Sequence, residues 1–269
     1  MNHLLRDLAP VTDRGWEMLE DEARQHLVSA LAARKLVDFS GPHGWEHSAT
    51  NLGRLETVPG TLVEGVRPAR RSVLPLVEPR VELTIARAEL EAIGRGAEDP
   101  DLDSLDEAAR RIALAENSAV FNGWEDAGIT GIVAASPHDA IPLSEDLTAC
   151  PRHIAAAVEV LLAHGISGPY GLALGPDVYK GVIETTEHGG YPLFDHLRKI
   201  LDGPLVWAPG VDGAVVVSLR GGDFLFDCGQ DIAIGYDSHD AEVVRLYLVE
   251  SFSFRVATPE AGVALPAAR

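Results

Sequence analysis

The chain has 269 residues, 46% of them hydrophobic and 23% charged, enough to bury a sizeable core in one large or two modest domains. Its 22 basic residues stand against 41 acidic ones, and the formal net charge of −19 argues against nucleic acid or an anionic membrane as the main partner. Two cysteines, Cys150 and Cys228, with no CxxC, argue against a disulfide framework. The N-terminus shows no apolar signal segment, and no run approaches the ~20 residues of a membrane span, so the expectation is a soluble intracellular chain.

Residues 13–34 predict an amphipathic helix, with Trp16, Leu19, Ala23, Leu27, Ala30 and Leu31 at three- and four-residue spacing and Thr12 or Asp13 as cap. Residues 41–75 differ in texture: turn signals (Gly41, Pro42, Gly44, Gly53, Pro59, Gly60) separate short alternating pieces and a basic cluster of Arg67, Arg70 and Arg71. They read as a two-stranded excursion, which needs a surface to rest on. Residues 76–85 alternate with Val77, Val81, Leu83 and Ile85 on one face, and a short helix runs to about Ile93, ended by Gly94 and Gly96. Ser104 and Glu107 have capping-box spacing ahead of a long helix bearing Leu105, Ala108, Ile112, Ala115, Ala119 and Val120.

From about 130 to 224 helices and strands alternate. Pro151, Pro176 and Pro192 open helices, and Gly165 closes the first. Tyr170 to Leu174, Leu205 to Trp207 and Ala214 to Ser218 read as strands. After residue 224 the chain alternates again from Val244 to Val256, the even-numbered apolar residues opposing Arg245, Tyr247, Ser251, Ser253 and Arg255, which predicts one long strand with one buried face. Glu250 interrupts the apolar side, and either pairs with a buried arginine or is turned outward by a bulge. The tail from Ala257 is expected to be partly ordered.

No phosphate-binding, nucleophile-elbow or zinc-protease motif occurs, and the acidic residues are too many for sequence to pick out a catalytic pair. No metal set is assigned: His43 and His47 have i, i+4 spacing but lie in a Gly-Pro turn where that spacing loses its helical meaning, and both cysteines read as core thiols.

Short segments nevertheless run in order along nearly the whole chain: Arg6 to Pro10, Arg34 to Asp38, Gly41 to Trp45, Glu116 to Gly123, Gly168 to Tyr170, His188 to Pro192, Trp207 to Pro209, Arg220 to Phe224, Ile234 to Tyr236 and Val244 to Tyr247. Taken together they resemble the encapsulin shell proteins of the linocin-like family. The resemblance implies an α+β chain with the tailed-phage major capsid fold. Its peripheral domain would take 1–40, 76–129 and 225–269, its extended loop 41–75 and its axial domain 130–224.

The resemblance also implies a non-enzymatic subunit of a bacterial, cytoplasmic nanocompartment, sixty copies closing a T=1 shell around a dye-decolorising peroxidase or a ferritin-like iron oxidase. The targeting peptide of the cargo would sit on Leu27, Ala30, Leu31, Arg34, Asp38 and Tyr247, a helix-and-strand groove. Thr186, Glu187, His188, Gly189 and Gly190 would form a pore loop with a charged ring. Trp45, Arg67, Arg70 and Arg71 would clasp neighbouring subunits. Some relatives bind flavin through an aromatic residue in the helix after the loop; residues 86–90 hold none, so no cofactor is expected. The competing expectations are a prophage capsid protein packaging DNA and a hydrolase, the latter without a recognisable nucleophile–base set.

Overall fold

The C-terminal alternation is cut in two. In the computed structural model, which describes residues 3–187 and 189–268, β12 (Val243–Val249) ends at Glu250, and the chain resumes as β13 (Phe252–Val256) in a different sheet. The expectation of one strand with one buried face therefore fails. Tyr247, Ser251 and Ser253 on the supposedly open side are also buried, because each half is covered from both faces.

The elements follow in chain order. Helix α1 (Asp13–Ala30) starts under Thr12, whose hydroxyl accepts from the Gly15 N–H at 3.1 Å. It stops four residues before the expected end, and a 3-10 turn (Ala33–Lys35) leads into β1 (Asp38–Ser40). The excursion is a hairpin of β2 (Ala49–Thr57) and β3 (Ala69–Pro75) that pairs only with itself among the named strands. Next come β4 (Arg80–Ala86), α2 (Arg87–Arg95), capped by Gly96 at positive φ, and α3 (Asp103–Phe121). The expected capping box is not made: Leu102 occupies the cap position, and the Ser104 hydroxyl donates instead to the Thr84 carbonyl at 2.7 Å.

The short strands β5 (Gly123–Trp124) and β6 (Ile129–Thr130) lead into the insertion, which holds α4 (Ile132–Ala135), α5 (Cys150–Ala163), β7 (Tyr170–Leu174), α6 (Pro176–Glu184), α7 (Leu193–Leu201), β8 (Leu205–Trp207) and β9 (Ala214–Ser218). β10 (Phe224–Cys228) and β11 (Ala233–His239) precede β12 and β13. The tail is ordered: β14 (Gly262–Leu265) pairs with β9 and buries Val263 and Leu265. The tail strand thus joins the sheet of the 130–224 segment, in the order β14-β9-β7-β8, rather than the sheets formed by residues 224–256.

Among the described residues two large hydrophobic cores result, beside a small cluster of Leu4, Tyr247 and Val249, and α3 threads both large ones. Its first half (Leu105, Ala108, Ile112) packs with Leu19 and Ala23 of α1 under the β11-β12-β4 sheet. Its second half (Ala119, Val120, Phe121) enters a larger core with the insertion and Phe224, Phe226, Phe252 and Phe254. Nineteen helical residues span about 28 Å, which is why one helix reaches both. Ala115 is only half-buried, whereas the polar pair Glu116 and Asn117, between the two apolar halves, is fully buried.

Candidate functional site

The C-terminal end of α1 is held by that polar pair. Asn117 Oδ1 accepts from the Ala32 and Ala33 N–H groups, both at 3.0 Å, and its Nδ2 donates to the Ala30 carbonyl at 2.8 Å and the Pro209 carbonyl at 3.1 Å. One amide thus meets the groups left unpaired where the helix ends. Arg34 follows in the 3-10 turn. Its Nε donates to Glu116 Oε2 at 2.7 Å, its Nη1 to Asp231 Oδ1 at 2.7 Å and its Nη2 to Glu250 Oε2 at 2.9 Å. Glu250, at the break between β12 and β13, is therefore paired with a largely buried arginine.

Three carboxylates surround one guanidinium, Glu116 and Glu250 fully buried and Asp231 about half exposed. Burial opposes the charge on Arg34, but Glu116, Glu250 and Asp231 more than offset it and hold its proton more tightly than usual. Burial, with the facing Glu116 charge, pushes the Glu250 carboxyl well above the ordinary carboxylate range, and Arg34 only partly counters this. Oε1 of both Glu116 and Glu250 is buried without a hydrogen-bond partner, and burial pushes the Glu116 carboxyl upward as well, against the pull of Arg34.

Beside this network a cleft of about 450 Å³ opens between α1 and the β11–β12 pair. Leu27, Val28 and Leu31 form one wall, Ile232, Ile234 and Leu248 the other, and Arg6, Glu20 and Arg34 lie at its edge. Leu27 and Leu31 are half-buried, Leu27 resting partly on the core beneath, and Val28 is exposed, so part of the apolar wall stays open to solvent. Of the six residues expected to line such a groove, the structure brings together Leu27, Leu31 and Arg34. It does not place Ala30, Asp38 or Tyr247 there. Ala30 is buried against α3. Asp38 lies by the Gly222 turn, where its Oδ2 accepts from the Gly222 N–H at 2.7 Å. Tyr247 points to the other side of its sheet, its ring under the Arg80 guanidinium at 3.6 Å, in a hollow it shares with Trp45. The ring fills the space over Gly235, where a Cβ would meet it at 2.1 Å. Arg34 also differs from expectation: its nitrogens are engaged within the chain. Val28, Ile232 and Ile234 were missed, although Val28 follows Leu27 in sequence and the run 232–236 alternates.

In the loop after α6, Thr186 bridges Pro192, and the Glu187 carboxylate lies 2.9 Å from Nδ1 of His196 on α7. Glu187 is thus tied to its own chain, which departs from a freely projecting charged ring. Gly189 and Gly190 both take positive φ, at 97° and 79°, and His188 lies outside the described residues.

Among the described residues, the side-chain bonds that tie the hairpin to the body gather at its base. Nε2 of His43 and of His47 lie 2.8 and 3.0 Å from the two Asp227 carboxylate oxygens, and the Thr50 hydroxyl bonds Asp227 and, at 2.7 Å, Ser253. Gly41 (φ +114°) permits the close approach there, since a Cβ would lie 2.3 Å from the Cys228 carbonyl oxygen. Trp45 stacks on His3 at 4.1 Å, and Arg70 pairs with Glu56 across the hairpin at 2.8 Å, while Arg67 and Arg71 are exposed. Both thiols are buried, which pushes Cys150 up to about 11 and Cys228 up to about 12 and removes them as nucleophiles.

A spine helix crossing two cores, an exposed ribbon and an inserted α/β unit define the tailed-phage major capsid fold. The chain aligns with the virus-like particle of Pyrococcus furiosus at a TM-score of 0.67 over 93% of this chain and 98% of that one, at 18% identity. It aligns with the capsid of Myoviridae phage XM1 at 0.51 over 90% and 92%, at 11% identity. Residues 1–253 match the family model described as encapsulating protein for peroxidase, and the chain is 51% identical to the type 1 encapsulin shell protein of Rhodospirillum rubrum over 98% of this chain and 96% of that protein. The chain belongs to the encapsulin shell-protein family. It is a structural subunit of a capsid-like bacterial nanocompartment rather than an enzyme, and a DNA-packaging phage capsid is not favoured. No described helix is long and apolar enough to cross a membrane.

Proposed function

We propose that sixty copies of this chain close a T=1 shell in the cytoplasm around a peroxidase, or alternatively a ferritin-like iron oxidase, whose C-terminal peptide lies in the cleft beside α1. The observation that carries the cargo reading is the solvent-open apolar wall of Leu27, Val28 and Leu31 facing Ile232 and Ile234. Such a wall takes alternate apolar side chains of an extended peptide. The peroxidase is preferred because the matching family is described by it. Arg34 and Glu116 set the cleft wall by holding the end of α1, so recognition falls to the apolar residues, with Arg6 and Arg24 toward the rim.

The hairpin acts as the clasp between subunits. Leu55, Leu62, Val63 and Val66 are more than half exposed, and no core of the hairpin's own covers them. The 41–75 loop and the 130–224 insertion serve as extended loop and axial domain, the latter completed by β14. The loop at 186–190 borders a pore.

Shells purified from their native host and analysed by mass spectrometry and negative-stain imaging test both parts. Closed particles of uniform size carrying a peroxidase are expected. A monomer or dimer in size-exclusion chromatography sinks the shell count. Leu31→Asp is expected to leave particles intact and strip them of cargo; unchanged loading rejects the cleft.

A further inference from the structure

The other flank of α1 carries a different chemistry. Glu22 and His26 share one helix face at i, i+4, and Asp106 approaches them from the first turn of α3, which packs on α1 through the core shared by Leu19, Ala23 and Leu105. Nε2 of His26 lies 3.3 Å from Oε1 of Glu22 and 3.2 Å from Oδ2 of Asp106, and all three atoms fall within 4.8 Å of one another.

Those separations are long for charge-assisted hydrogen bonds, which settle near 2.7–2.9 Å. Both match the spacing of neighbouring donors around one cation: ligands about 2.1 Å from a metal and separated by roughly 90–109° stand about 3.0–3.4 Å apart, so Nε2 of His26 is placed to share a cation with each carboxylate. A second observation is independent of this spacing. The other oxygen of Asp106, Oδ1, is buried and has no hydrogen-bond partner.

Glu22 and Asp106 border a cleft of about 500 Å³ whose lining adds Glu17, Asp21, Glu98, Asp99 and Asp103 against the single cation Arg14. That potential draws small cations inward and repels anions. One imidazole with two carboxylates suits first-row dications such as Mn²⁺, Fe²⁺, Co²⁺ and Zn²⁺ better than Mg²⁺ or Ca²⁺, which prefer oxygen alone.

We propose that Glu22, His26 and Asp106 form a binding site for a divalent first-row transition metal, with water completing the coordination. The site is independent of cargo and belongs to each subunit.

Co²⁺ titrated into chelator-treated assembled shells tests this directly, read by equilibrium dialysis and by its visible ligand-field absorption. Saturable uptake of one Co²⁺ per subunit is expected, displaced by Zn²⁺ but not by excess Mg²⁺. His26→Gln and Asp106→Asn should each weaken binding at least about tenfold, while Asp21→Asn, on the cleft but outside the triad, should change it less than about twofold. Glu22→Gln, at a half-exposed position, provides a further ligand variant if Asp106→Asn disturbs the helix packing. Absence of saturable uptake overturns the proposal and leaves His26 bridging two carboxylates within the chain. Equal weakening by Asp21→Asn also overturns it and reassigns the uptake to the diffuse charge of the cleft.

Discussion

The β2–β3 hairpin and the β7–β9 pair are both antiparallel and opposite in burial. Every residue of β7 and β9 is buried, whereas β2 and β3 have none buried. The inner pair is built from Val, Leu and Ala between helices and defines a rigid block. The hairpin is built from Arg, Glu, Thr and scattered Leu and Val, and it touches its own body chiefly at the Asp227 anchor. One pair is stabilised by this chain alone; the other is complete only against another surface. A strand's alternation shows which face is apolar but not whose surface covers it.

Substitutions on the two sides of this contrast should differ sharply in what they disturb. The largest effect is expected for Val216→Asp, which places a charge at a fully buried position in β9: a loss of about 4 kcal/mol or more, read as insoluble chain or a collapsed denaturant midpoint. Arg34→Met comes next. It strips Glu116 and Glu250 of their shared cation in the core, and about 3 kcal/mol of stability should go with it, together with the order at the end of α1 that hydrogen exchange would report.

Asp227→Asn loosens only the junction between hairpin and body, by about 1–2 kcal/mol, and should speed proteolysis within 41–75 while sparing the insertion. The anchor also has a defined pH dependence. Burial works against the Asp227 charge, but hydrogen bonds from Thr50 and His47 and the nearby His43 and His47 hold its carboxyl below the ordinary range. A depressed carboxylate contributes fully above the unfolded value of about 3.9, and that contribution is lost as pH falls through the lower folded value. Proteolysis of the wild-type hairpin should therefore accelerate in acid, and the Asn variant should lack that step. Leu55→Asp, on the exposed hairpin, should change stability by less than about 0.5 kcal/mol, yet size-exclusion chromatography should find the shell replaced by small species. If Leu55→Asp instead unfolds the chain, the contrast between the two regions is wrong.

Much of the fold was legible beforehand because its signals are local. Thr12, Gly96, Pro151 and Pro176 sit at or next to helix ends, as their backbone preferences require, and the excursion was visible as clustered turn residues. The errors share one cause. Ser104 had capping-box spacing, but its hydroxyl found a better acceptor on β4. The run from Val244 to Val256 kept its period through a break that is visible only when two sheets compete for its halves. In the candidate cleft, Leu27 and Leu31 were readable from helical spacing, whereas Tyr247 and Ala30 were misplaced because a period of two or 3.6 does not say which neighbour a face meets. Glu22 and His26 could have been noticed as a helical pair, but Asp106 lies eighty residues away in sequence and joins them only through packing.

The sequence by itself determined the family, the order of elements and the presence of an unsupported ribbon, since these rest on ordered motifs, backbone-restricting residues and composition. Tertiary structure alone decided that Arg34 is spent on Glu116, Asp231 and Glu250 rather than left for a ligand. It also decided that β14 completes the inserted sheet and that Asp227 gathers two histidines at the base of the hairpin. Charges and strand edges pair with whatever long-range contact offers the lowest free energy in a desolvated site, and that choice is made across separations of 82 to 216 residues for the Arg34 contacts, where local patterns carry no information.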